Sequence, residues 1–249
     1  MQMCIRDRDE TTIQISGLSK SYAGKKVIDN ISLTVSSGEV YGLLGANGAG
    51  KSTTIECILG TRKADAGKIR ILGLDPHKDR KPIFEQVGVQ FQESNYPDKI
   101  RVKELCEETA CLYRQPAEYE PLLSRFGLAE KKNAFVTELS GGQKQKLFII
   151  LALIADPKVV FLDELTTGLD TKARRNVWKS LLELKEQGLT IFLSSHFMDE
   201  VEMLCDRISI LRDGRFVFTG TVQEAMEQSC CEKFEDAYLW FTGEEADDE

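Results

Sequence analysis

Val40-Tyr-Gly-Leu-Leu-Gly-Ala-Asn-Gly-Ala-Gly-Lys-Ser52 is the stretch on which the fold turns. Val40 to Leu44 is a short, nearly continuous apolar run, as expected of a strand buried on both faces. Gly45 to Ser52 then keeps the GxxxxGK[ST] spacing, and a helical pattern runs on from Lys51 to Leu59. Strand, glycine-rich turn and helix in that order form a phosphate-binding loop. The glycines let the backbone pass close to phosphates with its N–H groups pointing inward. The start of the helix adds the positive end of its dipole. Gly45, Ala46, Asn47, Gly48, Ala49, Gly50, Lys51, Ser52 and Thr53 are therefore the candidate nucleotide-binding residues. Lys51 is placed to reach the β- and γ-phosphates, and the Ser52 hydroxyl to ligate Mg²⁺. This loop says nucleotide without saying which reaction, since kinases and GTPases share it.

Working outward, further short apolar runs at Val87–Phe91, Val159–Leu162 and Thr190–Leu193 read as more strands buried on both faces. Helical patterns alternate with them over Gly141–Ala155, Thr171–Glu186 and Phe197–Cys205. That alternation predicts an α/β fold built on a parallel sheet. Period-two patterns mark strands near Thr12–Ile15, Ile28–Val35 and Lys68–Leu72. From about Asp98 to Glu138 the strand signal fades into polar, helix-forming sequence, expected to be a helical insert. Near the end, Arg207–Arg212 and Arg215–Thr219 flank Asp213-Gly214, a hairpin signal. Thr221-Val-Gln-Glu224 has the form of a capping box and opens a helix.

Leu139-Ser140-Gly141-Gly142-Gln143 separates the phosphate-loop classes. A chance match in a chain of this size is on the order of a few in ten thousand. Ser140 with Gln143 also has the form of a capping box for the next helix, and two glycines there leave room for a phosphate to approach. Val159-Val-Phe-Leu-Asp-Glu164 is a buried strand ending in two acids, and a desolvated carboxylate needs a partner such as Mg²⁺. With these strings the chain resembles the ABC ATPases, whose hallmark is LSGGQ, from about Thr12 to Gly243. The resemblance implies a RecA-like P-loop NTPase core, an N-terminal antiparallel β subdomain and a helical subdomain of about 98–145 within a domain spanning 9–243.

The same resemblance implies roles. Asp163 would hold the Mg²⁺ shell and Glu164 would be the general base. Ser140, Gly141, Gly142 and Gln143 would face the ATP held by a partner subunit. Gln92, after the Val87–Phe91 strand, would sense Mg²⁺ and the attacking water, with Gln90 its rival in position. His196, after Thr190–Ser195, would contact the γ-phosphate. Asp170 would belong to the loop that crosses the dimer, with a plain N-cap for the Thr171 helix as the alternative. Tyr22 would stack on adenine. One position departs from the family: Leu165 stands where proline is usual after the paired acids, which puts the shape of that turn in doubt but removes neither acid.

Composition sets the remaining expectations. The 249 residues carry a formal charge of −8, which disfavours nucleic acid as partner. No run of about 18 apolar residues is present, so the expected membrane partner is a separate transmembrane permease. The seven cysteines form no CxxC pair and read as free thiols. Met1–Arg8 (MQMCIRDR) differs in charge pattern from the rest of the chain and resembles translated sequencing adapter, so native sequence is expected from near Asp9. Residues 244–249 read as an acidic tail. The string from Leu139 to Leu211 is similar to ATP-binding subunits of bacterial multidrug and antibiotic-type exporters. The resemblance thus points to an ATP- and Mg²⁺-dependent ATPase working as a homodimer or heterodimer at the cytoplasmic face of the cell membrane. An importer ATPase and a soluble, non-transport ABC ATPase are the alternatives.

Overall fold

A computed structural model describes residues 10–90 and 96–243. Gln92, the segment 1–8 and the tail 244–249 lie outside the described residues. The chain opens with β1 (Thr11–Tyr22) and β2 (Lys25–Ser36), an antiparallel pair with Ile15 opposite Leu33. The deciding strand follows as β3 (Val40–Leu44), buried at every residue, and α1 (Lys51–Ile58) leaves the glycine loop. β4 (Ala66–Ile71) returns to the free edge of β1, with Ile69 opposite Ile15, giving a three-stranded sheet of order β2-β1-β4.

The short helix α2 (Arg80–Phe84) leads into β5 (Val87–Gln90). The expected helical region contains α3 (Val102–Ala110), α4 (Tyr119–Arg125), 3-10 turns at Ala129–Lys131 and Val136–Glu138, and α5 (Gly141–Leu153). Next come β6 (Val159–Asp163), α6 (Thr171–Glu186), β7 (Thr190–Ser194) and α7 (Met198–Leu204). The hairpin β8 (Arg207–Arg212) and β9 (Arg215–Gly220) precedes α8 (Val222–Ser229) and α9 (Phe234–Thr242). The second sheet has the order β5-β6-β7-β3-β8-β9, parallel throughout except for the edge strand β9.

Both faces of the parallel sheet are covered, and the period of two sorts the side chains. Tyr41, Leu43, Val159, Phe161 and Phe192 face the three-stranded sheet and α1. Val40, Val160, Leu162, Ile191 and Leu193 face α5, and share one apolar cluster with Val102, Cys106, Leu123 and Val136 of the helical region. That region is thereby fastened to the sheet through α5.

The differences from the sequence expectation have local causes. β1 runs well past Ile15 because its register with both neighbours shifts around Gly17 (φ +65°), a bulge that breaks the alternation along the strand. β4 stops before Leu72, which takes a left-handed φ of +51°. α5 stops at Leu153, short of Ala155, as Asp156 turns left-handed ahead of Pro157. Two helices go beyond the expectation: α2 is a five-residue helix, and α9 buries Phe234, Ala237, Tyr238 and Phe241 at i, i+3, i+4 and i+7 spacing.

Candidate functional site

Because β6, β7 and β3 are parallel neighbours, their carboxyl ends fall on one edge of the sheet, where ligands bind in open α/β folds. The glycine loop leaves β3 there. Gly50 sits at φ +109°, and a Cβ on it would lie 2.8 Å from the Val27 carbonyl oxygen. Only glycine fits a backbone pressed against β2 in that conformation. Gly50 is also the N-cap of α1; among the described residues no side chain caps that helix, and no acid occupies its first turn. The first N–H groups of α1 are thus left for an outside acceptor, and an anion suits them. Lys51 Nζ donates to the carbonyls of Gly45 (2.6 Å) and Ala46 (3.1 Å), and Thr54 Oγ1 donates to the Gly50 carbonyl. Burial holds the Lys51 ammonium below its ordinary range, opposed by the nearby negative charges of Glu164 and Asp163. One cation and two carboxylates therefore share this edge. Ser52 is exposed and Thr53 half-buried. A cleft of about 440 Å³ adjoins the loop, lined by residues that include Lys26, Ala46, Asn47, Gly48 and Arg212.

At the end of β6, Asp163 is opposite Ser194 of β7, and the buried Ser194 hydroxyl donates to Asp163 Oδ1. The same hydroxyl accepts the Glu164 N–H at 3.2 Å. Glu164 adopts φ +51°, uncommon for a residue with a side chain. Its carbonyl oxygen accepts from Gln145 Nε2 of α5 at 3.2 Å, and the next carbonyl, of Leu165, accepts from the same nitrogen at 2.9 Å. Leu165, at the position where proline is usual, is itself fully buried in the core beside α5.

The turn then passes Thr166, whose hydroxyl donates to Glu200 Oε1 at 2.7 Å. Glu200 is fully buried on α7 and also accepts from Trp178 Nε1 at 3.0 Å. Burial pushes its carboxyl up, against the lowering effect of hydrogen bonds from Ser195, Thr166 and Trp178. His196 follows Ser195 at the tip of β7 and is exposed, its ring centroid 4.1 Å from that of Phe197. Arg174 of α6 lies over the other ring, 4.1 Å from the Phe197 centroid. The turn after Glu164, the middle of α6 and Ser195 are thus joined by hydrogen bonds to the buried Glu200.

Ser140 caps α5: its hydroxyl accepts the Gln143 N–H at 3.3 Å, and Gln143 Oε1 accepts the Ser140 N–H at 3.0 Å, a complete capping box. Ser140 and Gly141 are exposed. Asp170 caps α6, accepting the Ala173 N–H at 2.8 Å. Tyr22, at the end of β1, is 38% exposed, with Lys20 Nζ and Arg62 Cζ at 5.2 and 5.7 Å from its ring centroid, and it does not line the cleft beside the loop. Gln90 ends β5 with its side chain buried, whereas Gln92 is outside the described residues. Ser194, Gln145 and Glu200 are site neighbours that no motif flags. The one signal for Ser194 is a hydroxyl closing an apolar strand, Thr190-Ile-Phe-Leu-Ser194.

An edge with an uncapped helix start, a buried ammonium and paired carboxylates can bind a polyphosphate and polarise a water against it. Comparison with known proteins agrees. The model of the ABC transporter family matches residues 28–167. The Nod factor export ATP-binding protein I of Rhizobium etli is 40% identical over 223 residues, 88% of this chain and 71% of that protein. An ATP-binding subunit of an ABC transporter superposes with TM-score 0.85 at 30% identity, over 93% of this chain and 100% of the other. An ATP-binding cassette of an ABC transporter in its ADP conformation gives TM-score 0.78 at 25% identity, over 92% and 98%.

Proposed function

The chain belongs to the ABC transporter family, as an ATP-binding subunit that hydrolyses ATP, and from that premise we propose that it powers an exporter from the cytoplasmic face of a membrane. Subunits of this kind dimerise and act with transmembrane components. No helix among the described residues is long and apolar enough to cross a membrane; in this proposal a separate permease supplies the translocation path, in keeping with relatives named as ATP-binding proteins of an export system. Export as the direction draws on relatives named for Nod factor export; a multidrug cargo has less support than the direction does.

In the reading we favour, two subunits meet head to tail around two ATP molecules. Lys51 binds the β- and γ-phosphates from the loop Gly45–Thr53, and the N–H groups of α1 hold their oxygens. Glu164 accepts the proton of the attacking water, and His196 orients the γ-phosphate. Ser140 and Gly142 of the other subunit close the site, with Asp170 at the crossing and Tyr22 against the adenine. Ser52, Asp163 and Gln92 would hold a Mg²⁺ ion, which supplies charge neutralisation along the phosphates. A hydroxyl and a buried carboxylate are hard oxygen donors of the right kind. Among the described residues no group of three or more His, Cys, Asp or Glu gathers as a cage, and Mg²⁺ bound with a nucleotide takes most of its ligands from phosphate and water.

The observation that carries this reading is the register of Asp163 against Ser194 beside β3, which sets the paired acids, His196 and the phosphate loop on one edge, while Ser140 is an exposed cap at the start of α5. ATPase rate measured against protein concentration tests it, with Glu164→Gln alongside. The wild-type rate per subunit should climb with concentration. The mutant should lose about 10²–10⁴-fold in rate while it still binds ATP and accumulates as dimer. A wild-type rate per subunit that stays flat across the range where monomers dissociate, or a mutant as fast as wild type, would sink the shared site.

A further inference from the structure

The turn that carries Glu164 is held from outside its own strand. Gln145 Nε2 has two N–H groups, and its two acceptors are the adjacent carbonyls of Glu164 and Leu165. Two bonds to successive peptides fix the tilt of both peptide planes. The restraint falls where the backbone needs it. Glu164 is left-handed at φ +51°, a conformation that side chains disfavour and that persists only where surroundings hold it. Leu165 lacks the ring that would lock its own φ in a proline.

Gln145 belongs to α5, the helix whose first turn is Ser140 to Gln143. One helix therefore carries the exposed cap at one end and the clamp on the base turn about 7.5 Å along its axis. A second contact runs the same way. A Cβ on Gly142 would meet Leu169 Cδ2 at 2.9 Å and the Gly168 carbonyl at 3.3 Å, so the first turn of α5 packs on the segment after Glu164 within the same chain.

We propose that Gln145 is a positioning residue that sets the Glu164 turn and, resting on the shared-site reading above, links the two ATP sites of the dimer. The α5 start of a subunit touches the ATP bound by its partner, while Gln145 of that subunit holds the base for its own ATP. Seating α5 on one nucleotide thus brings the base of the other site into line. Gln145 Nε2 donates to the backbone carbonyls of Glu164 and Leu165, so it acts through the Glu164 turn.

The test uses the full chain. Gln145→Met keeps length and removes both donors; Gln145→Lys restores a donor on a side chain one atom longer. Steady-state ATPase, nucleotide binding and the Hill coefficient for ATP are measured at a concentration where the wild-type rate per subunit is still climbing. In Gln145→Met, kcat should fall about tenfold to a hundredfold, the size of effect a small misplacement produces. Its KM and ATP affinity should stay at wild-type values, and its Hill coefficient should drop toward one. Gln145→Lys should recover most of the rate. Wild-type kcat and Hill coefficient in Gln145→Met would overturn the proposal. So would a lower melting temperature accompanied by full rate per folded subunit, the mark of a purely structural contact. A wild-type rate that does not climb with concentration removes the shared site, and the link with it; because it is read in the wild type alone, it is distinguishable from failure of Gln145.

Discussion

Two helix starts face two different fates in this molecule. α1 begins at Gly50, whose conformation excludes a side chain, and among the described residues no side chain caps its first N–H groups. α5 begins at Ser140 and closes its own capping box through Gln143. The first start is incomplete until an anion arrives, and its surroundings belong to the same chain: Val27 on one side, the buried Lys51 on the other. The second is complete in the isolated subunit and points outward. On the shared-site reading, one end of the site is finished by ligand and the other meets a neighbour.

Substitutions at the two starts sharpen that contrast. Gly50→Ala should have the largest effect on folding. The new Cβ meets a backbone oxygen at 2.8 Å and the residue sits at φ +109°, a combination that costs about 2–3 kcal/mol. Thermal unfolding should show a clear drop in midpoint, and added ATP should no longer raise it. An unchanged midpoint that ATP still raises would mean the loop is less constrained than its geometry implies. Ser140→Ala should cost about 1 kcal/mol through loss of the cap, read as a shift in denaturant midpoint without a change in slope. ATP binding to the monomer should be untouched while ATPase at high protein concentration falls. Gly141→Ala is the mildest for folding. Nothing lies within 4 Å of the added carbon, and alanine is a better helix former than glycine, so the midpoint should hold or rise slightly. On the shared-site reading activity should nevertheless fall, because the open space at Gly141 would receive the phosphate of the partner's ATP. Full activity in Gly141→Ala at every concentration would break the comparison.

The candidate site was legible in the sequence wherever chemistry and conformation are set by near neighbours. Gly45–Ser52 announces its turn because glycines at fixed spacing, after a strand and before a helix, admit few backbone paths. Ser140 and Gln143 read as a cap because both bonds close within three residues. The apolar runs at β3, β6 and β7 marked their strands to within a residue, since a strand buried on both faces has no polar alternation to blur its ends. Legibility failed where a bulge disturbed the period, as at Gly17 in β1, and where α2 was too short to show a face.

Local spacing could not pair Ser194 with Asp163, since they meet through the register of two parallel strands and are joined in sequence only by α6. Nor could it show Gln145 reaching the carbonyls of Glu164 and Leu165, or Glu200 accepting from Thr166 and Trp178. Those bonds follow from how α5 and α7 are seated on the sheet, and that seating is fixed by apolar clusters drawn from the whole chain. Each motif was legible because its own groups are adjacent along the backbone. The shape of the turn beneath Glu164 depends on distant segments whose order in space is set by packing, so it becomes visible only once the chain is folded.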